Sequence, residues 1–112
     1  MKYSGYIEGY YGKLLTWNQR AEIVDSLQAH NLTHYLFAAK EDSYHRLTWR
    51  TTPDESYTAH LTQFITNSAT KNITVIPAIA PGLSYTYSDS DFESLCGRIA
   101  HLISCWAQEV TL

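Results

Sequence analysis

Thr33-His34-Tyr35-Leu36-Phe37-Ala38 is an almost unbroken apolar and aromatic run. A strand with one face in water alternates apolar and polar residues, whereas a strand covered on both faces need not, as in parallel sheets flanked by helices. The run therefore predicts a buried parallel strand, and the flanking sequence should supply the helices. On the N-terminal side, Trp17 to Ala29 places Ala21, Val24 and Leu27 at helical spacing behind Thr16, a suitable N-cap. Before it, Tyr3 to Glu8 is rich in strand formers and ends at Gly9. On the C-terminal side, a long polar loop leads to a helix starting near Pro53-Asp54-Glu55, where proline and acids suit a first turn. Leu61, Phe64, Ile65 and Ala69 share one face of that helix.

The pattern then repeats. Ile73 to Ile79 reads as a third strand, Ala80-Pro81-Gly82 as a turn, and the chain after Ser88-Asp89-Ser90 as a third helix. That helix carries Phe92, Leu95, Ile99, Leu102, Ile103 and Trp106 at helical intervals. Glu109-Val110-Thr111-Leu112 has the look of a fourth strand just beginning. Apolar strands alternating with amphipathic helices predict an α/β fold, a parallel sheet covered by helices, with residues 1–112 as one partial domain. Three such units are well under half of the roughly 250 residues of an eight-fold barrel and short for an open doubly wound sheet. A fragment or a degenerate remnant is expected, with an uncovered sheet edge that the missing remainder or self-association would cover.

Composition narrows the function. The 112 residues are 45% hydrophobic and 17% charged with a formal net charge of −3, and eight Lys and Arg against eleven Asp and Glu leave no basic face for nucleic acid. No apolar run approaches the roughly 18 residues of a membrane span, and MKYSGYIEGYYG lacks the apolar core of a secretory signal, so a cytoplasmic location is the expectation. Cys96 and Cys105 fall nine residues apart in one predicted helix, on opposite faces and about 13 Å apart along its axis, which excludes a disulfide between them. The histidines His30, His34, His45, His60 and His101 show no ligand spacing, and no metal site is read. The sequons at Asn31 and Asn72 lie at the mouths of predicted strands and are taken as chance.

Polar and aromatic residues gather after each predicted strand, at the end where α/β sheets carry their sites. Gly9, Tyr10, Tyr11, Gly12 and Lys13 follow the first; Lys40, Glu41, Asp42, Tyr44, His45, Arg46, Trp49 and Arg50 the second; Pro81, Gly82, Ser84, Tyr85 and Tyr87 the third. Such loops suit a saccharide, which offers hydroxyls to polar groups and C–H faces to rings. Solvated loops with ordinary turn chemistry fit the same composition.

Three stretches break that tie. GYIEGYYG (5–12), YLFAAKEDSYHRLTWR (35–50) and AIAPGLSYTYS (78–88), in this order and spacing, resemble the first three β/α units of the catalytic domain of glycoside hydrolase family 84. These are β-N-acetylglucosaminidases, a family that includes protein O-GlcNAcase and bacterial hyaluronidase-like enzymes. The resemblance implies the first three units and the start of strand four of a (β/α)8 TIM barrel, incomplete here. It also implies hydrolysis of terminal β-linked N-acetylglucosamine on glycoconjugates with retention. The sugar's own acetamido oxygen attacks the anomeric carbon, an exception to the two-carboxylate nucleophile scheme. Two adjacent aspartates after the fourth strand orient the acetamido group and transfer the protons; no cofactor is implied.

Carried over by position, Gly9 matches a glycine whose carbonyl accepts a hydrogen bond from a sugar hydroxyl, and Lys40 a lysine that donates to another. Around them Glu8, Tyr11, Asp42, His45 and Arg46 are expected to support the site, and Asp42, His45, Arg46, Trp49 and Arg50 to brace the long loop through ion pairs and stacking. Glu8 is expected to point into the barrel near its floor. Two positions depart from the family pattern: Leu14-Leu15 stands in place of Pro-Trp, and Ser84 where an aspartate is common. No Asp-Asp dipeptide occurs in the sequence, and Asp89 and Asp91 sit where acids cap a helix. The chain alone is therefore expected to be inactive. Two alternatives remain: a non-catalytic N-acetylglucosamine-binding module, and a Schiff-base lyase using Lys40. The latter requires a desolvated lysine, whereas Glu41 and Asp42 follow it directly and favour the charged amine.

Overall fold

The alternation in the sequence is the alternation in the fold. The structure, a computed structural model, describes residues 3–9 and 12–111. In chain order it runs β1 (Gly5–Glu8), α1 (Trp17–Ala29), β2 (His34–Phe37), α2 (Glu55–Thr70), β3 (Thr74–Pro77), a short 3-10 turn (Gly82–Ser84) and α3 (Asp89–Ser104). The strands are parallel in the order β1-β2-β3, with Glu8 beside Phe37 and Phe37 beside Pro77. Each is shorter than its apolar run, but pairing continues past its end: Ala38 N–H donates to Glu8 O at 3.0 Å and Ala78 N–H to Phe37 O at 2.9 Å. Where a fourth strand was expected to begin, a single isolated bridge lies past the end of β3. Thr111 bridges Ala78 in parallel, with Thr111 N–H on Pro77 O and Ile79 N–H on Thr111 O, both at 2.9 Å.

Because side chains alternate along a strand, the in-register rows face opposite ways. The rows Tyr6, Tyr35, Val75 and Glu8, Phe37, Pro77 face the helices and are buried or half-buried. The row Ile7, Leu36, Ile76 faces away, and Ile7 is 64% exposed. That second face forms an open concavity of about 470 Å³; Tyr3, in its lining, donates from Oη to Glu109 Oε1 at 2.8 Å.

The helices begin where the sequence places them. Thr16 Oγ1 accepts from Gln19 N–H at 3.1 Å while Gln19 Oε1 accepts from Thr16 N–H at 2.8 Å, a reciprocal cap. Asp54 and Ser88 cap α2 and α3 through the N–H groups of Tyr57 and Asp91. The sequon asparagines shape the backbone, since Asn31 (φ 59°) and Asn72 (φ 62°) end α1 and α2 in the left-handed conformation that asparagine tolerates. The next amides, Leu32 and Ile73, return to Leu27 O and Ser68 O, closing Schellman ends. Cys96 is exposed, Cys105 is buried, and both are free.

The buried faces differ from the expected ones by one residue in places. Ala21, Ala69, Phe92, Ile103 and Trp106 are exposed, and Arg20, Ser68, Asp91 and Arg98 are buried instead. On α1 the face meeting the sheet runs through Arg20, Val24 and Leu27; on α3 it runs through Asp91, Leu95, Arg98, Leu102 and Cys105. Arg20 meets a buried carboxylate, Arg98 meets loop carbonyls and Asp91 meets the Arg50 guanidinium, which is why polar residues hold these places.

Candidate functional site

Gly9 and Lys40 come to one edge of the sheet. Gly9 directly follows β1 and Lys40 lies three residues beyond β2, and the pairing of Glu8 with Phe37 sets Gly9 next to Ala38. A Cβ added at Gly9 would stand 4.0 Å from Ala38 O and 3.2 Å from the Ile7 Cγ2 methyl. A side chain there would crowd the Ile7 methyl, so this strand end is kept free of one. Both residues are half-buried. Tyr11 lies outside the described residues.

Glu8 departs from expectation in direction. Its side chain, 2% exposed, points into the layer between sheet and helices, not to the open face. There Arg20 donates through Nε to Oε1 at 2.9 Å and through Nη2 to Oε2 at 3.0 Å, and Tyr35 Oη donates to Oε1 at 2.5 Å. The Arg20 guanidinium also lies over the rings of Trp17 (4.4 Å) and Phe37 (4.7 Å). Burial opposes charge on Arg20, but the bonds and attraction of Glu8 outweigh it and raise its pKa; burial and then Glu8 raise that of Tyr35 well above the usual phenol range. Glu8 is the centre of a buried ion pair under the rim.

The loop from Ala38 to Asp54 is braced by hydrogen bonds to backbone and, at Arg50, by an ion pair with Asp91, with the guanidinium 4.6 Å from the centre of the Trp49 ring. Asp42, 6% exposed, accepts from Tyr44 N–H at 2.9 Å and from Tyr57 Oη at 2.6 Å. Burial and then the Asp42 charge hold the Tyr57 phenol protonated well above its ordinary range. His45, also 6% exposed, donates from Nδ1 to Ala78 O at 2.7 Å, and its own carbonyl accepts from Ala80 N–H at 2.8 Å. This binds the second loop to the end of β3. Burial lowers the His45 pKa, with Lys40 and Arg46 acting in the same direction against the Ala78 bond and Asp42. Arg46 Nε and Nη2 both donate to Lys40 O at 3.3 Å, so this arginine fixes the main chain that carries the lysine.

Trp49 is fully buried and donates from Nε1 to Ser84 Oγ at 2.9 Å; Ser84 in turn donates to Pro81 O at 2.8 Å. The residue at the position where an aspartate was expected thus ties the second loop to the third. Arg50 completes the tie with Nε and Nη2 on the two carboxylate oxygens of Asp91, both at 2.7 Å, and a further bond to Ser84 O. Arg50 and then Thr86 hold the Asp91 carboxyl well below the usual carboxylate range. Asp91 is therefore a loop anchor as well as a first-turn acid.

Two of these partners, Arg20 and Arg98, went unread in the sequence, and Asp91 was read only as a helix-capping acid. Arg98 donates from Nη1 to Tyr44 O and Trp49 O, each at 2.9 Å, and is 3% exposed. Their signal was periodicity, since Arg20 stands four and seven residues before Val24 and Leu27, and Arg98 four and seven before Leu102 and Cys105. Among the described residues no group of three or more His, Cys, Asp or Glu side chains could hold a metal ion, and no helix is long and apolar enough to cross a membrane.

Known proteins match this arrangement. The family profile described as beta-N-acetylglucosaminidase matches residues 4–111. Protein O-GlcNAcase from Rattus norvegicus and from Mus musculus are each 36% identical over 85 residues, which cover 76% of this chain and 9% of either relative. This chain thus spans about a tenth of their length. Among solved structures, an aspartate-to-asparagine mutant of the Thermobaculum terrenum O-GlcNAc hydrolase superposes with a TM-score of 0.93 at 33% identity, over 97% of this chain and 24% of that one. A structure described as CpGH84B gives 0.91 at 23% identity, over 97% and 20%, and supports the fold alone. With the profile matched from the first strand to the last bridge, the chain belongs to the beta-N-acetylglucosaminidases of glycoside hydrolase family 84 and corresponds to the N-terminal part of their domain.

Proposed function

We propose that this chain is the sugar-holding N-terminal piece of a β-N-acetylglucosaminidase catalytic domain, the first three β/α units and the opening of the fourth strand of an incomplete (β/α)8 barrel. The observation that carries this reading is the placement of Gly9 and Lys40 at the ends of adjacent parallel strands within the family match. In this reading the Gly9 carbonyl accepts a hydrogen bond from a hydroxyl of a terminal N-acetylglucosamine, and the Lys40 ammonium donates to another. Arg46 holds the main chain of Lys40 while Asp42 and His45 hold the loop around it. The retaining, substrate-assisted reaction then uses an aspartate pair supplied by the rest of the catalytic domain. No Asp-Asp dipeptide occurs in these 112 residues, so the chain by itself positions a sugar and does not cleave it.

Turnover of an aryl N-acetylglucosaminide separates the outcomes. The isolated chain is expected to give none, and the chain joined to the remainder of such a domain is expected to regain it. In the joined protein, Lys40→Ala removes a charge-assisted hydrogen bond worth about 1.5–3 kcal/mol, which weakens N-acetylglucosamine binding about 10- to 100-fold. Turnover by the isolated chain that disappears in Lys40→Ala would overturn the division of labour, and unchanged binding in Lys40→Ala would remove the lysine from the site.

A further inference from the structure

Beneath the Lys40 loop, two buried polar atoms have no protein partner. They are His45 Nε2 and Arg98 Nε, on side chains 6% and 3% exposed. Both residues line one narrow cavity between β3, α2, α3 and the loop, which leaves about 10 Å³ for the centre of a water-sized sphere. That is room for one water molecule and little else.

The chemistry of the two atoms is complementary. The Ala78 carbonyl can only accept, so His45 Nδ1 carries the proton of that 2.7 Å bond, and in the neutral ring Nε2 is then an acceptor. Burial favours the neutral ring. Arg98 Nε can only donate, and its Nη1 is already engaged with Tyr44 O and Trp49 O. Leaving either atom bare would cost about 1–3 kcal/mol, more for the charged group. An anion would satisfy Arg98 but repel the lone pair of His45 Nε2, and the Asp42 carboxylate stands in the same wall.

We propose that a single ordered water occupies this cavity, donating to His45 Nε2 and accepting from Arg98 Nε–H. It joins the loop that presents Lys40 to α3, completing the Arg98 bonds to the loop carbonyls. The sugar-contacting role of that loop rests on the reading proposed above, but the water does not.

A high-resolution crystal structure of the protein, with a search for long-lived water by water-to-protein cross-relaxation in NMR, tests the site. The expected result is one density peak at hydrogen-bonding distance from both atoms, with the ¹⁵N shifts of His45 reporting a protonated Nδ1 and an accepting Nε2. His45→Asn keeps a donor for Ala78 O and removes Nε2 with the outer part of the ring, leaving an amide oxygen that reaches less far from the backbone, so it should lose the water signal while circular dichroism stays unchanged. Arg98→Met is the second variant and should also lose it. A dry cavity, a bound chloride, a His45 protonated on Nε2, or a water signal unchanged in both variants would overturn the proposal. Failure of Lys40→Ala to weaken sugar binding would leave the water in place and overturn only the sugar reading.

Discussion

Glu8 shows how much one side chain's direction decides. A carboxylate in a strand beside a sugar site invites a catalytic reading, yet its pleat position sends it among helix residues, where two hydrogen bonds from Arg20 and one from Tyr35 neutralise it. Removing one partner from such a pair leaves the other buried and uncompensated, at a cost of about 3–5 kcal/mol, whereas an apolar replacement of both is close to neutral. Glu8→Gln should therefore lower the urea midpoint by that equivalent, and Glu8→Leu with Arg20→Met should recover most of it; an unchanged midpoint in Glu8→Gln would show that the pair contributes nothing. Gly5 is set by the neighbouring strand. A Cβ there would fall 1.7 Å from His34 O, so β1 and β2 could pair only after moving apart. Gly5→Ala should destabilise by about 1–3 kcal/mol or more, the range of an overpacked core, in the same urea assay. A wild-type midpoint would mean that the strand end yields freely.

At the scale of elements, the helices and their connecting loops form two different kinds of structure. The helix starts at Thr16, Asp54 and Ser88 were legible because capping is local chemistry, needing only an oxygen at the right distance from its own turn. The long loop was legible in composition and not in role, because Asp42, His45 and Trp49 find their partners on α2, β3 and the third loop. This packing has a pH signature. Burial lowers the pKa of His45 and also of His101, with Arg98 adding to the latter, so the unfolded chain takes up protons near pH 6.5 before the fold does. Stability should then be flat between about pH 7 and 9 and fall as pH drops below about 6.5, since the unfolded state binds more protons there; it falls again above about pH 10, where the unfolded chain loses the phenol protons that Tyr35 and Tyr57 keep in the fold. Asp91, held low by Arg50, adds a further loss beginning below about pH 4. Urea midpoints at pH 7.5 and 5.5 check this: His45→Asn should reduce their difference, and equal midpoints in the native sequence would contradict it.

The whole molecule is a sheet finished on one side only. Helices cover the rows of Tyr35 and Phe37, while Ile7, Leu36 and Ile76 line the open concavity on the other face. Apolar surface and a β1 edge exposed together favour association. The isolated chain should bind the dye ANS and sediment as concentration-dependent oligomers, and Ile7→Lys should reduce both; a monomer without dye binding would show that this face is compatible with water. The same one-sidedness explains an expectation at the edges that needed structure to decide. The apolar runs of β2 and β3 say that both faces are meant to be covered, but not by what.

The sequence by itself determined the order of strands and helices, their caps, the parallel sheet and the family, because each is written in local spacing or in motifs carried by neighbouring residues. It also brought Gly9 and Lys40 to the same edge, since a parallel α/β alternation leaves strand ends no other place to go. Only the tertiary structure decided which way Glu8 points, that Arg20 and Arg98 are buried, that Ser84 takes the Trp49 bond, and that His45 and Arg98 face one small cavity. These depend on pairings between residues 12 to 54 positions apart, where burial and partner choice fix one another and neither can be read from one segment alone.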